Sequence, residues 1–113
     1  YKGNFPLWLA PVQVAVLPIA DRHEGYARDV EEKLRGSGLR PLVDLSREKI
    51  GKKIRNAEVE KIPLILVVGD KEVERRTAAL RVHGAGDKGE VALDAFIART
   101  LDFDRRKALQ LSY

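Results

Sequence analysis

Val12-Gln-Val-Ala-Val-Leu17, closed off by Pro11 and Pro18, is the stretch on which the fold turns. Apart from Gln13, its apolar side chains fall on successive positions instead of alternate ones, so neither face of the segment can be left to water. A strand of that kind belongs inside a parallel sheet with helices packed on both sides. Just beyond it, Asp21 is placed to cap a helix in which Tyr26, Val30 and Leu34 recur at helical spacing, and Gly36 and Gly38 end that pattern. A βα unit results.

Strand character resumes from Leu39 to Leu45, but Pro41 cannot donate to a ladder, which confines this strand to a sheet edge or to a ladder position facing outward. Ser46 then opens a second helix, with Ile50, Ile54 and Ala57 as its buried stripe and Lys49, Lys52, Lys53 and Asn56 turned toward water. Pro63 stops it. Leu64 to Val68 is another continuous apolar strand, and Gly69-Asp70 marks a turn beyond it. Thr77 to Val82 can pair as a further strand ahead of a glycine-rich loop from His83 to Gly89. Leu93, Phe96, Ile97 and Leu101 make a closing amphipathic helix, and a charged tail starts at Asp104.

The order β-α-β-α-β-β-α, joined by right-handed crossovers, predicts an α/β fold with three parallel strands in the spatial order 2-1-3. The expected architecture is a three-layer α/β/α sandwich with a mixed, mainly parallel sheet of four to five strands and three helices. In such sheets, ligands meet the carboxyl ends of the strands at the switch point between the first and third. Those ends carry Asp21, the segment from Arg47 to Lys49, and the segment from Asp70 to Glu72.

Composition narrows the function. A chain of 113 residues suits one hydrophobic core, and 44% apolar with 34% charged residues is the make-up of a folding chain. No uncharged apolar run approaches the roughly 20 residues of a membrane span, so a soluble, cytoplasmic protein is expected. With no cysteine and only His23 and His83 as histidines, neither a disulfide framework nor a structural zinc site is expected. The absence of methionine, even at position 1, suggests a domain taken from a longer polypeptide. The formal net charge of +4 suits an anionic partner, and the excess is local: between Arg47 and Arg55, five cations face the single anion Glu48.

Catalytic constellations are lacking. Gly84-Ala-Gly-Asp-Lys-Gly89 has the spacing of a dinucleotide fingerprint, but no helix N-terminus and second parallel strand can follow in the chain that remains, so a hairpin loop is expected there. Ser37, Ser46 and Ser112 do not sit on a glycine-flanked strand-to-helix elbow. Carboxylate pairs such as Glu31-Glu32 and Asp102-Asp104 fall on expected surface. A basic helix at the carboxyl end of a strand, beside the acid Glu72, is instead a combination suited to RNA: cations hold phosphates while donors and acceptors read base edges. In the N-terminal approach, Trp8 is expected to pack against the sheet, whereas Phe5 is equally suited to packing and to stacking on a base.

Phe5-Pro-Leu-Trp-Leu-Ala-Pro-Val-Gln-Val14 resembles the segment by which threonyl-tRNA synthetases pass from their catalytic domain into their anticodon-binding domain. Glu48-Lys-Ile-Gly-Lys-Lys-Ile-Arg55 and Gly69-Asp-Lys-Glu-Val-Glu74 resemble that family's second-helix and third-strand signatures, and Arg81 matches a further family arginine. Arg47 and Lys52 depart from it, standing where some members have an asparagine and an aromatic.

The resemblance implies a linker over 1–10, an anticodon-binding domain over 11–103 and a tail over 104–113. It also implies recognition of the threonine tRNA anticodon, with Glu72 and Arg81 reading bases, Lys49 and Arg55 supporting them, and Arg47 and Phe5 as further RNA contacts. All threonine anticodons share G at the second position and U at the third, so a specific reader should hold that pair. Catalysis, with its ATP and zinc, would belong to a missing domain, and this chain would need no cofactor and bind neither DNA nor membrane. The chain alone is expected to be a monomer and its parent a homodimer. An accessory protein-interaction module of the same fold is the alternative. The RNA reading requires Glu72 and Arg81 to sit side by side on a solvent-facing rim.

Overall fold

The computed structural model describes residues 7–106. Its sheet has five strands: β1 (Val14–Pro18), β2 (Pro41–Val43), β3 (Leu64–Val68), β4 (Thr77–Val82) and β5 (Gly86–Ala92), in the order β2-β1-β3-β4-β5. β1 runs parallel to both β2 and β3, while β4 and β5 are antiparallel additions. The expected 2-1-3 core and the edge position of the proline-bearing strand are therefore both present.

Helices α1 (Glu24–Gly36) and α4 (Leu93–Arg106) cover one face. There Val14, Val16, Leu64, Leu66, Ala78 and Leu80 point up to meet Val30, Leu34 and Phe96. α2 (Ile50–Val59) lies on the other face, where Ala15, Leu17 and Ile65 pack with Ala57 and, less completely, Ile50 and Ile54. Alternate residues of β1 and β3 thus enter two cores, as the continuous apolar runs require.

Several local expectations change. A fourth helix, α3 (Asp70–Arg75), occupies what the sequence offers only as a turn. Asp21 belongs to a short 3-10 turn, and α1 begins after His23. Ser46 lies ahead of α2, whose N-cap is Lys49; the Ser46 amide donates instead to Asp44 Oδ1 at 2.9 Å. The hairpin expected around the glycines is present, but β5 takes up most of them and leaves only a tight turn between Val82 and Gly86.

Gln13, the polar residue in the deciding stretch, is 1% exposed and fully used. Its amide nitrogen donates to Leu7 O and Asp104 Oδ1, both at 3.1 Å, and its oxygen accepts the Arg40 amide at 2.9 Å. The approach to β1, the entry to β2 and the end of α4 are thereby tied together.

Candidate nucleic-acid interface

Strand β4 divides its side chains cleanly. Ala78, Leu80 and Val82 are buried under α1 and α4, so Thr77, Ala79 and Arg81 point to the opposite face, beside α2. Ala79 stands across from Val67 on β3 and from Glu90 on β5, and Arg81 across from Ile65. Arg81 is half-buried and, among the described residues, forms no ion pair. Glu90 gathers three partners on this face: Thr77 Oγ1 donates to it, Arg75 Nη1 lies 3.3 Å away and Lys71 Nζ 4.0 Å away. The Thr77 hydrogen bond, helped by the two cations, lowers the Glu90 pKa.

Helix α3 forms the rim above, at the carboxyl end of β3. Val73 packs into the core while Lys71 and Arg75 lean out to Glu90. Glu72 is half-exposed, and its Oε1 accepts the Gly69 amide at 2.8 Å, capping the helix from within. Gly69 has no room to spare, since an added Cβ would meet Ile19 Cδ1 at 2.7 Å and Glu72 Oε1 at 3.2 Å. From the level of Gly69 to that of Arg81 is four residues of strand, roughly 13 Å. Glu72 and Arg81 are thus not side by side as the sequence reading requires, and the Glu72 charge is felt by Tyr26 of α1, whose phenol pKa is raised first by burial and then, in smaller part, by that charge.

A network clamps α3 to the loop after β1. Asp70 accepts a bidentate pair of hydrogen bonds from Arg22, both at 2.9 Å, and its Oδ1 lies 2.6 Å from His23 Nε2. His23 is 3% exposed, and its Nδ1 accepts the Ala20 amide at 3.0 Å, which leaves Nε2 to carry the proton toward Asp70. The Arg22 hydrogen bond, followed by that of His23, holds the Asp70 carboxyl well below the usual carboxylate range. Arg22 and His23 were not singled out in the sequence, and Asp70 only as part of a strand-end segment; the aspartate at the carboxyl end of one strand and the basic pair after its neighbour were the available signal.

The basic helix is only partly as expected. Lys49, Lys52 and Arg55 are exposed, with Lys52 paired to Glu48 at 3.4 Å. Arg47 is exposed and lies 3.6 Å from Asp21, and both line a crevice with Ile19, Ser46, Glu48 and Lys53. Glu72 does not line that crevice. Lys53, assigned to water by its charge, is 4% exposed: it shares the stripe of Ile50, Ile54 and Ala57 and donates to two main-chain carbonyls. Trp8 is half-buried, its carbonyl accepting from Arg40. Phe5 lies outside the described residues.

Residues 13–102 match the family described as the anticodon binding domain. The chain belongs to the anticodon-binding domain family. An anticodon-binding domain takes tRNA as its partner. The chain is 55% identical over 97 residues to a threonine–tRNA ligase of Nitrosococcus oceani, covering 86% of the chain and 15% of that protein. It is 54% identical over 105 residues to the Chlorobaculum tepidum ligase, covering 92% of the chain and 16% of that protein. The chain therefore spans about a sixth of the length of these relatives.

Among solved structures, the RNA-binding domain of threonyl-tRNA synthetase from Cryptosporidium parvum Iowa II superposes with a TM-score of 0.84 at 27% identity, over 98% of this chain and 26% of that one. The anticodon-binding fold is thus shared across a wide sequence distance. Among the described residues, no group of three or more acidic or histidine side chains could hold a metal ion, and no helix is long and apolar enough to cross a membrane.

Proposed function

We propose that this anticodon-binding domain recognises threonine tRNA through the shared G and U of its anticodon. The observation that supports the reading is Arg81, half-buried on β4 and without an ion pair among the described residues, with the acid Glu72 on α3 at the carboxyl end of β3. The G Watson–Crick edge offers two donors, which suits the Glu72 carboxylate, and Arg81 supplies a planar fork for base acceptors or a stacking surface for the adjoining U. Lys49, Arg55 and Arg47 are exposed cations fit for phosphates, a role that steers without reading sequence. Phe5 remains a candidate stacking residue. The whole protein would ligate threonine to that tRNA, with ATP and zinc handled by a separate domain.

The test is titration with threonine anticodon stem-loops and with loops whose central G is replaced. Glu72→Gln keeps an oxygen for the Gly69 amide but cannot accept both G donors, so it should erase roughly 1–3 kcal/mol of discrimination between the two loops. Glu72→Ala should do the same and loosen α3 as well. Equal losses on both loops would remove Glu72 from base reading, and unchanged binding by Arg81→Ala would remove Arg81.

A further inference from the structure

Lys53 is charged yet 4% exposed, and the two carbonyls it serves share an origin. β1 and β2 pair only from Val14 with Pro41 to Val16 with Val43, the last rung being the Asp44 amide on Val16 O at 3.1 Å. Two residues farther along β1, the Pro18 carbonyl points the same way, but β2 has already turned off as the loop toward α2. The Lys53 ammonium fills that gap, donating to Pro18 O at 3.0 Å and to Asp44 O at 3.2 Å. It takes the place of the strand that is no longer there.

We infer that Lys53 is a positioning residue for RNA: it sets the form of the loop from Asp44 to Lys49 and so fixes where Arg47 and Lys49 meet phosphates. The inference rests on the RNA-binding reading above. That loop holds little else to shape it. From Ser46 to Lys49 every residue is exposed, its side-chain ties among the described residues being the Ser46 amide on Asp44 Oδ1, the 3.6 Å pair between Arg47 and Asp21, and the pair from Glu48 to Lys52. Exposed ion pairs of this kind hold weakly, so the loop takes its shape mainly from its anchored ends. At one end the anchor is the buried ammonium.

The experiment titrates the chain with the threonine anticodon stem-loop across a salt series. Binding by the unaltered chain tests the RNA reading itself, and its failure would fell both. Given that binding, Lys53→Met, which keeps bulk but donates nothing, should lower affinity on the order of tenfold and shrink the salt slope by about 1.4, the share of two phosphate contacts on a single strand. Adding Arg47→Ala to Lys53→Met should then cost little more, and Lys53→Arg should recover most of the affinity and slope. A Lys53→Met chain that melts lower yet binds with unaltered affinity and slope overturns the inference. Should that variant fail to fold, Lys53→Gln, shorter and uncharged, carries the test: a loss of slope in the same direction supports the inference, and unchanged binding refutes it.

Discussion

Arg76 ends α3 in a left-handed backbone, φ 57° and ψ 45°, a conformation that costs an ordinary side chain about 1–2 kcal/mol. Its guanidinium lies 5.7 Å from the centre of the Tyr26 ring, a contact that returns about 0.5–1 kcal/mol at an exposed site. Two substitutions separate these effects. Arg76→Ala keeps the strain and loses the ring contact, whereas Arg76→Gly loses both, so the glycine variant should be the more stable by about 1 kcal/mol in denaturant titration. An alanine variant that equals or exceeds the glycine one would show that the backbone there is relaxed. Legibility at this scale followed residue type against position. Arg81's direction is readable from the alternation of Ala78, Leu80 and Val82, because a strand leaves no freedom about which face a side chain takes. Lys53 was misassigned because its charge outweighed its spacing: it lies three residues after Ile50, on the apolar stripe, and a buried lysine is rare enough to override that signal unless two orphaned carbonyls are known to await it.

Helix α3 was illegible for a different reason. Its six residues, Asp70–Arg75, carry only Val73 as an apolar contact, too short and too charged for any periodicity to show. What holds it lies outside it, in Arg22 and His23 on the loop after β1. That clamp has a pH signature. The Asp70 pKa is depressed in the folded chain, so below the ordinary carboxylate range the unfolded chain binds the extra proton and stability rises with pH there. The contribution is complete above about pH 5 and fades as acid protonates the folded carboxyl. Chemical denaturation of the unaltered chain and of Asp70→Asn should therefore differ most near neutrality and converge well below pH 4, as the pH falls past the ordinary aspartate value of 3.8. A difference constant across that range would mean the clamp carries no ionic part. β5 escaped notice for a related reason: Gly86 and Gly89 adopt positive φ and read as loop, while the pairing to β4 that makes them strand is set by the partner.

For the molecule as a whole, sheet order was the most legible property. Two continuous apolar runs demand central places, a proline demands an edge, and handed crossovers leave one arrangement of the three. The half-burial of Arg81 was not legible, because it depends on what packs against that face of β4. Charge acts at this scale too. With a net +4 and exposed Arg47, Lys49 and Arg55, affinity for any RNA loop should fall with salt at a slope of about −2 for three contacts on a single strand. The ratio of affinities for the threonine loop and a loop with its central G replaced should stay constant across the same series. A ratio that collapsed with salt would make the preference electrostatic. The outer strands have one further consequence. β2 is three residues long and begins with Pro41, and β5 slips register against β4 next to Lys88 and Asp87. Among the described residues, neither border offers a long, even row of amides and carbonyls on which another chain could crystallise into a growing fibril, so these two edges are poor templates for amyloid.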